Sequence, residues 1–160
     1  MPAKKPRVTI YTDGACAGNP GPGGWAAIIH DGQQERVLQG GASHTTNNRM
    51  ELRAAIAALS ALPQPRSVHL HTDSEYLRLG ITVWLPRWLA NGWRTATKGR
   101  VKNQDLWKAL LACQERHDVQ WHWVKAHAHD PYNQRVDLLA RAAIRNLARN
   151  APRDMEKPGA

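Results

Sequence analysis

A short strand-like segment that ends against a glycine- and proline-rich turn is the feature that most constrains the fold of this chain. Residues 8–11 are β-branched, aliphatic or aromatic, and residues 18–24 are rich in glycine and proline. This pattern predicts a strand with a turn at its exit. Asp13 falls inside the strand, where aspartate is normally depleted. Because an aspartate before a glycine is more often a turn residue than a catalytic one, its meaning depends on the rest of the chain.

Three further acids occupy equally distinctive positions. Asp73 ends a second strand pattern, Glu51 lies within an apolar helical pattern, and Asp137 is expected to open the last helix. A helical crossover between the two strands would make them parallel neighbours, with Asp13 and Asp73 at corresponding ends. We therefore expect four carboxylates to meet at one edge of a sheet.

The periodicity of the chain predicts its element order. Strands are predicted over residues 8–13, 25–30, 35–41, 68–73 and 119–124. Helices are predicted over residues 47–62, 75–79, 86–90 and about 103–116, with a last helix around residues 137–147. Thr45 or Thr46 can cap the first helix, and Gly80 is expected to close the second. This order predicts an α/β fold whose five-stranded mixed sheet is antiparallel at first and parallel once helices form the crossovers.

The length of 160 residues favours one domain. We expect a basic arm over residues 1–7, the domain over residues 8–148 and a disordered tail over residues 149–160. The sequence has neither an apolar run long enough to span a membrane nor a signal peptide. Two cysteines are too few for a disulfide framework. A cytoplasmic protein without a membrane partner is expected.

The charge balance points to a polyanionic partner. There are 22 Lys plus Arg and 13 Asp plus Glu, which gives a formal net charge of +9. Nucleic acid is the commonest partner of such a surface. Residues 84–108 interleave tryptophans with basic side chains and contain a single acid, Asp105. This stretch is expected to contact nucleic acid, although a purely structural interpretation would bury about half of its tryptophans.

Four carboxylates without arginine partners would repel one another and raise one another's pKa values. A cation would offset that repulsion, and oxygen ligands select Mg²⁺ first and Mn²⁺ second. One Mg²⁺ needs fewer than four acids. Two ions about 3.5–4 Å apart are therefore expected, as in nucleases that use two metal ions for in-line phosphoryl transfer. Each acid alone could be a helix cap or a surface charge. The metal-site interpretation, however, would be wrong only if all four acids had been misassigned together.

Several motifs together resemble the type 1 ribonuclease H family of bacteria. They are TDGAC (12–16), GNPG (18–21), TTNNRMEL (45–52), TDS (72–74) and WVKAHA (123–128), followed by Asn133 and Asp137. The resemblance covers residues 8 to about 145 in matching order. It implies a ribonuclease H-like fold that cleaves the RNA strand of RNA–DNA hybrids with Mg²⁺, and it implies a monomer.

The resemblance also implies roles for single residues. The metal-binding catalytic acids would be Asp13, Glu51, Asp73 and Asp137, with His127 as a general base or proton shuttle. The hybrid groove would be lined by Cys16, Asn19, Thr46, Asn47 and Asn48. The DNA strand would be held by Trp84, Trp93, Arg94 and Lys98. Asparagines suit the 2′-OH groups of a shallow minor groove, although Asn47 and Asn48 could instead serve only to start a helix. Cleavage by an activated water would leave 5′-phosphate and 3′-OH ends.

Several positions depart from the family pattern, and none of them is one of the four acids. Leu89-Ala90-Asn91 stand where relatives commonly place Lys and Arg, and Glu75 replaces a glutamine. In the loop around His127, Ala126 and His129 replace glycines, and Gln134 replaces a glutamate. These changes alter the expected affinity and rate rather than the expected chemistry.

Two other functions fit parts of the sequence. One is a hybrid- or duplex-binding module without turnover, against which the intact acids argue. The other is a metal-dependent DNA nuclease or integrase core. The TTNNRMEL segment and the tryptophan-rich basic stretch favour the hybrid over double-stranded DNA.

The loop around His127 gives the first testable prediction. General acid–base assistance is worth about 10²–10⁴-fold, so His127→Ala should be slowed yet measurably active. His129→Ala should stay close to wild type, because His127 is the histidine in register with the family motif. Turnover measured between pH 6 and 9 checks both, and a larger loss in His129→Ala would mean that the proton-transfer role belongs to His129.

Overall fold

In the computed structural model, residues 6–95, 97, 99–125 and 130–150 are described, with side chains up to residue 147. Three strands come first: β1 (Arg7–Cys16), β2 (Gly21–His30) and β3 (Glu35–Thr45). The remaining elements are α1 (Asn47–Ser60), β4 (Ser67–Thr72), α2 (Glu75–Leu79), α3 (Leu85–Ala90), α4 (Gln104–Glu115), β5 (Asp118–Trp123) and α5 (Pro131–Asn150). The predicted order of strands and helices is confirmed.

The strands form one mixed sheet in the order β3-β2-β1-β4-β5. The pairs β1–β2 and β2–β3 are antiparallel, whereas β1–β4 and β4–β5 are parallel. The change in direction follows from the connections, because tight turns join the first three strands and helices join the rest. The predicted mixed sheet is therefore confirmed, and β1 lies at its centre.

Two apolar layers cover the sheet. On one face, α1 and α4 bury the larger core, which includes Ile10, Leu70, Leu52 and the fully buried Trp107. On the other face, α5 packs across β1, β2 and β3, and a smaller core forms around Ile28 and its neighbours. The sheet is thus covered on both faces around β1, the strand that carries Asp13.

Of the two candidate caps for α1, Thr46 is the one used. Its hydroxyl oxygen accepts the backbone N–H of Arg49 at 3.2 Å, and its own backbone is extended. This bond satisfies one of the donors that every helix leaves free at its start. The cap fixes where α1 begins, and so fixes the position of Glu51 in its second turn.

The helix α2 ends at Leu79 with Gly80 as its C-cap residue, as predicted, but the left-handed conformation that a glycine usually adopts at such an end is wrong here. The φ of −60° and ψ of −49° of Gly80 are right-handed, and the chain continues through a π-helical turn, Gly80–Trp84, into α3. The glycine serves a different purpose, because a Cβ atom at this position would overlap the ring of the buried Trp107. Close packing of an indole, rather than a left-handed backbone, accounts for a glycine here.

Asp137 does not open the last helix, so that prediction is wrong. Asp130 precedes α5, and its carboxylate accepts the backbone N–H groups of Tyr132 and Asn133 at 2.9 and 3.3 Å. Pro131 is well suited to a first helical position because its missing N–H would have no partner there. The helix therefore starts before the expected residue, and Asp137 lies in its second turn.

The helix α5 runs to Asn150, and residues 151–160 lie outside the described part of the chain. The domain bounds and the disordered tail stay predictions. None of the described helices combines the length and the apolar character needed to cross a membrane.

The contact between Gly80 and Trp107 gives a prediction for stability. Alanine is the better helix former by about 1 kcal/mol, so Gly80→Ala would stabilise an unobstructed helix. Here the added methyl group would press on the indole, and overpacking of a core costs about 1–3 kcal/mol. We expect a lower free energy of unfolding for Gly80→Ala in urea titrations.

The matched control for this prediction is the same substitution in a Trp107→Leu background. There the smaller side chain leaves room, and Gly80→Ala should cost less or even stabilise. An equal loss in both backgrounds would contradict a clash with Trp107.

Candidate active site

Three carboxylates meet where the central strands end. The parallel register of β1 and β4, continued past Tyr11 and His71, places Asp13 beside Asp73. Glu51 reaches the same point from α1, and one oxygen of each of the three acids lies within 4.8 Å of the others. Asp13 and Glu51 are each only 4 % exposed. The structure thus brings together three of the four acids that the sequence singles out.

Gly14 explains how a helix can approach β1 so closely. A Cβ atom at Gly14 would lie 2.5 Å from the backbone nitrogen of Glu51 and 2.6 Å from the carbonyl carbon of Met50. Real Cβ atoms do not come so near to backbone atoms, so any other residue would push α1 away. The Asp-Gly step therefore does more than end a strand, because its glycine sets the distance between Asp13 and Glu51.

The acid cluster is electrostatically unfavourable when it is fully ionised. Burial, and then the charge of Asp73, raise the pKa of Asp13 to about 7. Burial, and then the charge of Asp13, raise the pKa of Glu51 well above its usual range. The Oε2 atom of Glu51 is buried and has no hydrogen-bond partner among the described residues. An unpartnered carboxylate oxygen beside two other acids is a donor set suited to a hard divalent cation.

Asp137 stands at the edge of this cluster. Its proximity contributes to the raised pKa of Asp13, so the two carboxyl groups face each other. Asp137 is more exposed than Asp13, and it forms an ion pair of 3.3 Å with Arg141 one turn along α5. The expectation that all four acids lack arginine partners is therefore wrong for Asp137. The i,i+4 spacing of this pair was a visible signal in the sequence.

A groove opens beside the acids. Its cavity of about 470 Å³ is lined by Gly14, Ala15, Cys16, Ala17, Asn47, Asp137, Arg141, Ile144 and Arg145. Two side chains, Cys16 and Asn19, hold the glycine-rich turn that adjoins this groove. The Cys16 thiol donates towards the carbonyl oxygens of Gly21 and Thr45, and the Asn19 side-chain oxygen accepts the backbone N–H of Asn47 at 3.2 Å. These bonds join the glycine-rich turn to the start of α1, where Asn48 is exposed.

The tryptophan-rich stretch borders a second cavity of about 650 Å³, lined in part by Trp93, Arg94 and Arg100. Trp107 is fully buried, whereas Trp84 and Trp93 are half-buried and form a run of ring contacts through Trp88. Both tryptophans predicted to contact the hybrid thus keep part of their surface open. Arg94 is exposed beside them.

Two predicted site residues, His127 and Lys98, lie outside the described residues, as do Ala126 and His129. Arg49, in contrast, escaped the sequence interpretation. Its guanidinium donates to both carboxylate oxygens of Asp105 and to Asn103, with a shortest distance of 2.8 Å. This fork ties the start of α1 to the start of α4. A pair separated by 56 residues gives no local signal in a sequence.

A central strand that ends at buried carboxylates, in a sheet of this topology, defines a ribonuclease H-like nuclease. The family model described as RNase H matches residues 5–145. The chain belongs to the RNase H family. Over 139 residues it is 60 % identical to the ribonuclease H of Bradyrhizobium diazoefficiens. This match covers 87 % of this chain and 90 % of that protein. It is 58 % identical over 140 residues to the ribonuclease HI of Caulobacter vibrioides, with 88 % and 94 % covered.

Solved structures show the same fold. LC9-RNase H1, described as a type 1 RNase H with the type 2 active-site motif, superposes with a TM-score of 0.82 at 30 % identity. That match covers 91 % of this chain and 75 % of the other. LC11-RNase H1 in complex with an RNA/DNA hybrid has a TM-score of 0.65 at 22 % identity, with 88 % and 99 % covered.

The raised pKa of Asp13 gives a prediction with a definite sign. A carboxyl group with a higher pKa in the folded than in the unfolded state binds protons more tightly when folded. Its contribution to stability therefore falls as the pH rises from about 4 to about 7. Asp13→Asn removes this loss. In EDTA the melting temperature of Asp13→Asn should match that of wild type near pH 4 and exceed it at pH 8. The difference should be about 2–4 °C for each kcal/mol gained in the free energy of unfolding.

Asp31→Asn is the matched control. Hydrogen bonds from the backbone of Gln34 and Gln33 lower the pKa of this exposed aspartate, so its substitution should give no gain at pH 8. A melting temperature of Asp13→Asn below wild type at pH 8 would contradict repulsion within the cluster. Saturating Mg²⁺ should reduce or reverse the gain, because a ligand that binds the folded wild type stabilises it.

Proposed function

We propose that this chain hydrolyses the RNA strand of RNA–DNA hybrids and leaves 5′-phosphate and 3′-OH ends. One observation carries the proposal. In a member of the RNase H family, a buried Glu51 oxygen lies beside Asp13 and Asp73 and has no hydrogen-bond partner within the described part of the chain. A binding module would gain nothing from three crowded carboxylates, since their repulsion destabilises the metal-free fold.

Mg²⁺ is the proposed cofactor, with Mn²⁺ as a substitute, because the donors are carboxylate oxygens. Two such ions, when bound, would supply an activated water and stabilise the charge on the phosphate. Asp13 would hold them from the middle of the cluster, because it senses the charge of both Asp73 and Asp137. Glu51 and Asp73 would complete the site from α1 and β4.

The remaining roles concern positioning and proton transfer. Asp137 would complete the cluster from its edge, and Arg141 restrains its carboxylate from the next turn of α5. His127 is proposed to move a proton, because an imidazole titrates near neutral pH. Attack by water rather than by the 2′-OH of the substrate accounts for the proposed ends.

The hybrid is proposed to lie across both cavities. Asn47 borders the groove beside the acids, and Asn19 holds the backbone of Asn47 in place. Together with Cys16, Thr46 and Asn48, they would face the minor groove, where 2′-OH groups distinguish RNA from DNA. Trp84, Trp93, Arg94 and Lys98 would hold the DNA strand. The similar fold of LC11-RNase H1, solved with an RNA/DNA hybrid, supports a hybrid as the ligand.

Family membership also supports a monomeric and cytoplasmic enzyme. Sedimentation of the purified protein and fractionation of the cells that produce it would test these two parts of the proposal.

A cleavage assay on matched duplexes tests the proposed function. In Mg²⁺, wild type should cleave the RNA strand of an RNA–DNA duplex and leave double-stranded RNA and double-stranded DNA of the same sequence intact. Asp13→Asn should lose cleavage by several orders of magnitude, because the group that joins the acids is gone. Its affinity for the hybrid should be equal to or higher than that of wild type, because a negative charge has been removed from the groove.

Asp118→Asn serves as the control, because Asp118 is an exposed acid at the start of β5. It should cleave at the wild-type rate. Binding of the hybrid without cleavage in Mg²⁺ or Mn²⁺ would establish the binding module instead. Preferred cleavage of double-stranded DNA would establish the DNA nuclease.

A further inference from the structure

A row of stacked rings crosses the sheet on the face that carries α5. Tyr132 of α5 stacks on Tyr11 with ring centroids 4.8 Å apart, and Tyr11 stacks on His71 at 4.5 Å. The row continues through His122 at 4.6 Å and ends at His69, 5.0 Å from His122. Three histidines from two neighbouring strands therefore share one surface.

The register of the sheet creates this arrangement. Tyr11, His71 and His122 are direct partners across β1, β4 and β5, and His69 lies two residues before His71 on the same face. The helix α5 packs across β1, β2 and β3, so the histidines lie beyond its main contact area. All three are half-buried. Their imidazoles therefore keep access to solvent within the part of the chain that the structure describes.

One pair of nitrogens already faces each other across β4 and β5. The Nδ1 atom of His69 and the Nε2 atom of His122 form a hydrogen bond of 2.8 Å, so one of the two carries the shared proton. Zinc–imidazole bonds are about 2.0–2.1 Å long, so a tetrahedral ion needs its two nitrogens about 3.3 Å apart. An ion would replace this hydrogen bond once the nitrogens separate by about half an ångström and the two half-buried rings turn towards it. The shared proton can move to the other nitrogen of its own ring, so neither ring need change its charge.

The surroundings keep His69 in the form that binds metals. Burial, and then the charges of Arg7 and His122, lower the pKa of His69, so its imidazole is neutral at pH 7. Neutral imidazole is the form that ligates. Arg7 opposes an incoming cation, whereas Asp118 attracts one.

We propose that His69 and His122 form a binding site for a divalent transition metal ion such as Zn²⁺, separate from the acid cluster. Among the described residues, only the acid trio brings three ligand atoms within 4.8 Å of one another. The histidine site therefore has two protein ligands in this conformation, and water takes the remaining positions. Imidazole suits zinc, copper and nickel, whereas the carboxylates suit Mg²⁺.

Calorimetric titration of the whole chain with Zn²⁺ in saturating Mg²⁺ tests the proposal, because Mg²⁺ occupies the carboxylates and leaves imidazoles free. Wild type should bind one ion. His69→Gln and His122→Gln keep a polar side chain but lose the nitrogen ligand. Each should weaken Zn²⁺ binding at least about tenfold, since changing even an outer partner of a metal ligand costs 10–100-fold.

His44→Gln is the matched control, because His44 is an exposed histidine on β3 at the far edge of the sheet. It should bind Zn²⁺ as wild type does. Imidazole ¹⁵N shifts should move for His69 and His122 on addition of the ion. The proposal is overturned if wild type binds no Zn²⁺ under these conditions, or if the two glutamine variants bind it as tightly as His44→Gln.

Discussion

The close approach of α1 to β1 is the constraint on which the candidate site depends. It is possible because Gly14 has no side chain, and it places a buried glutamate against a buried aspartate. Packing of the apolar side of α1 holds the two acids together against their repulsion. The molecule thus uses core packing to keep carboxylates at a separation that their charges alone would not allow. A cation removes the conflict, which is why the fold and the proposed chemistry cannot be considered apart.

The sequence was a good guide wherever a local pattern determines the outcome. Strand periodicity and helical crossovers led to the mixed sheet, and two strand ends led to Asp13 and Asp73. Glu51 could be placed because a charge inside an apolar helical stripe has few explanations. For each of these, the signal and the structure it predicts involve the same few residues. Their roles in catalysis still rest on the resemblance and on the proposed experiments.

One error arose where a distant residue decides a local conformation. Gly80 has the sequence context of a left-handed helix end, but the indole of Trp107, far along the chain, determines its use. The error at the start of α5 has a local cause instead, because Asp130 followed by Pro131 is itself a helix-start signal, and the Asp130 carboxylate caps the helix before the expected first turn. The fork between Arg49 and Asp105 joins two separate helices. Such contacts become visible only when the chain is folded.

That fork has a mechanical consequence. The helix α1 carries Glu51 in its second turn and Asn47 at its start, and Arg49 anchors it to Asp105 at the start of α4. The tryptophan-rich basic stretch (residues 84–108) leads directly into α4 along the chain. A duplex that pulls on this stretch would therefore also pull on α1 through the bidentate ion pair of Arg49 and Asp105. The proposed grip on the substrate and the position of Glu51 are thus linked through one ion pair, so a displacement of the basic stretch would also displace the acid cluster.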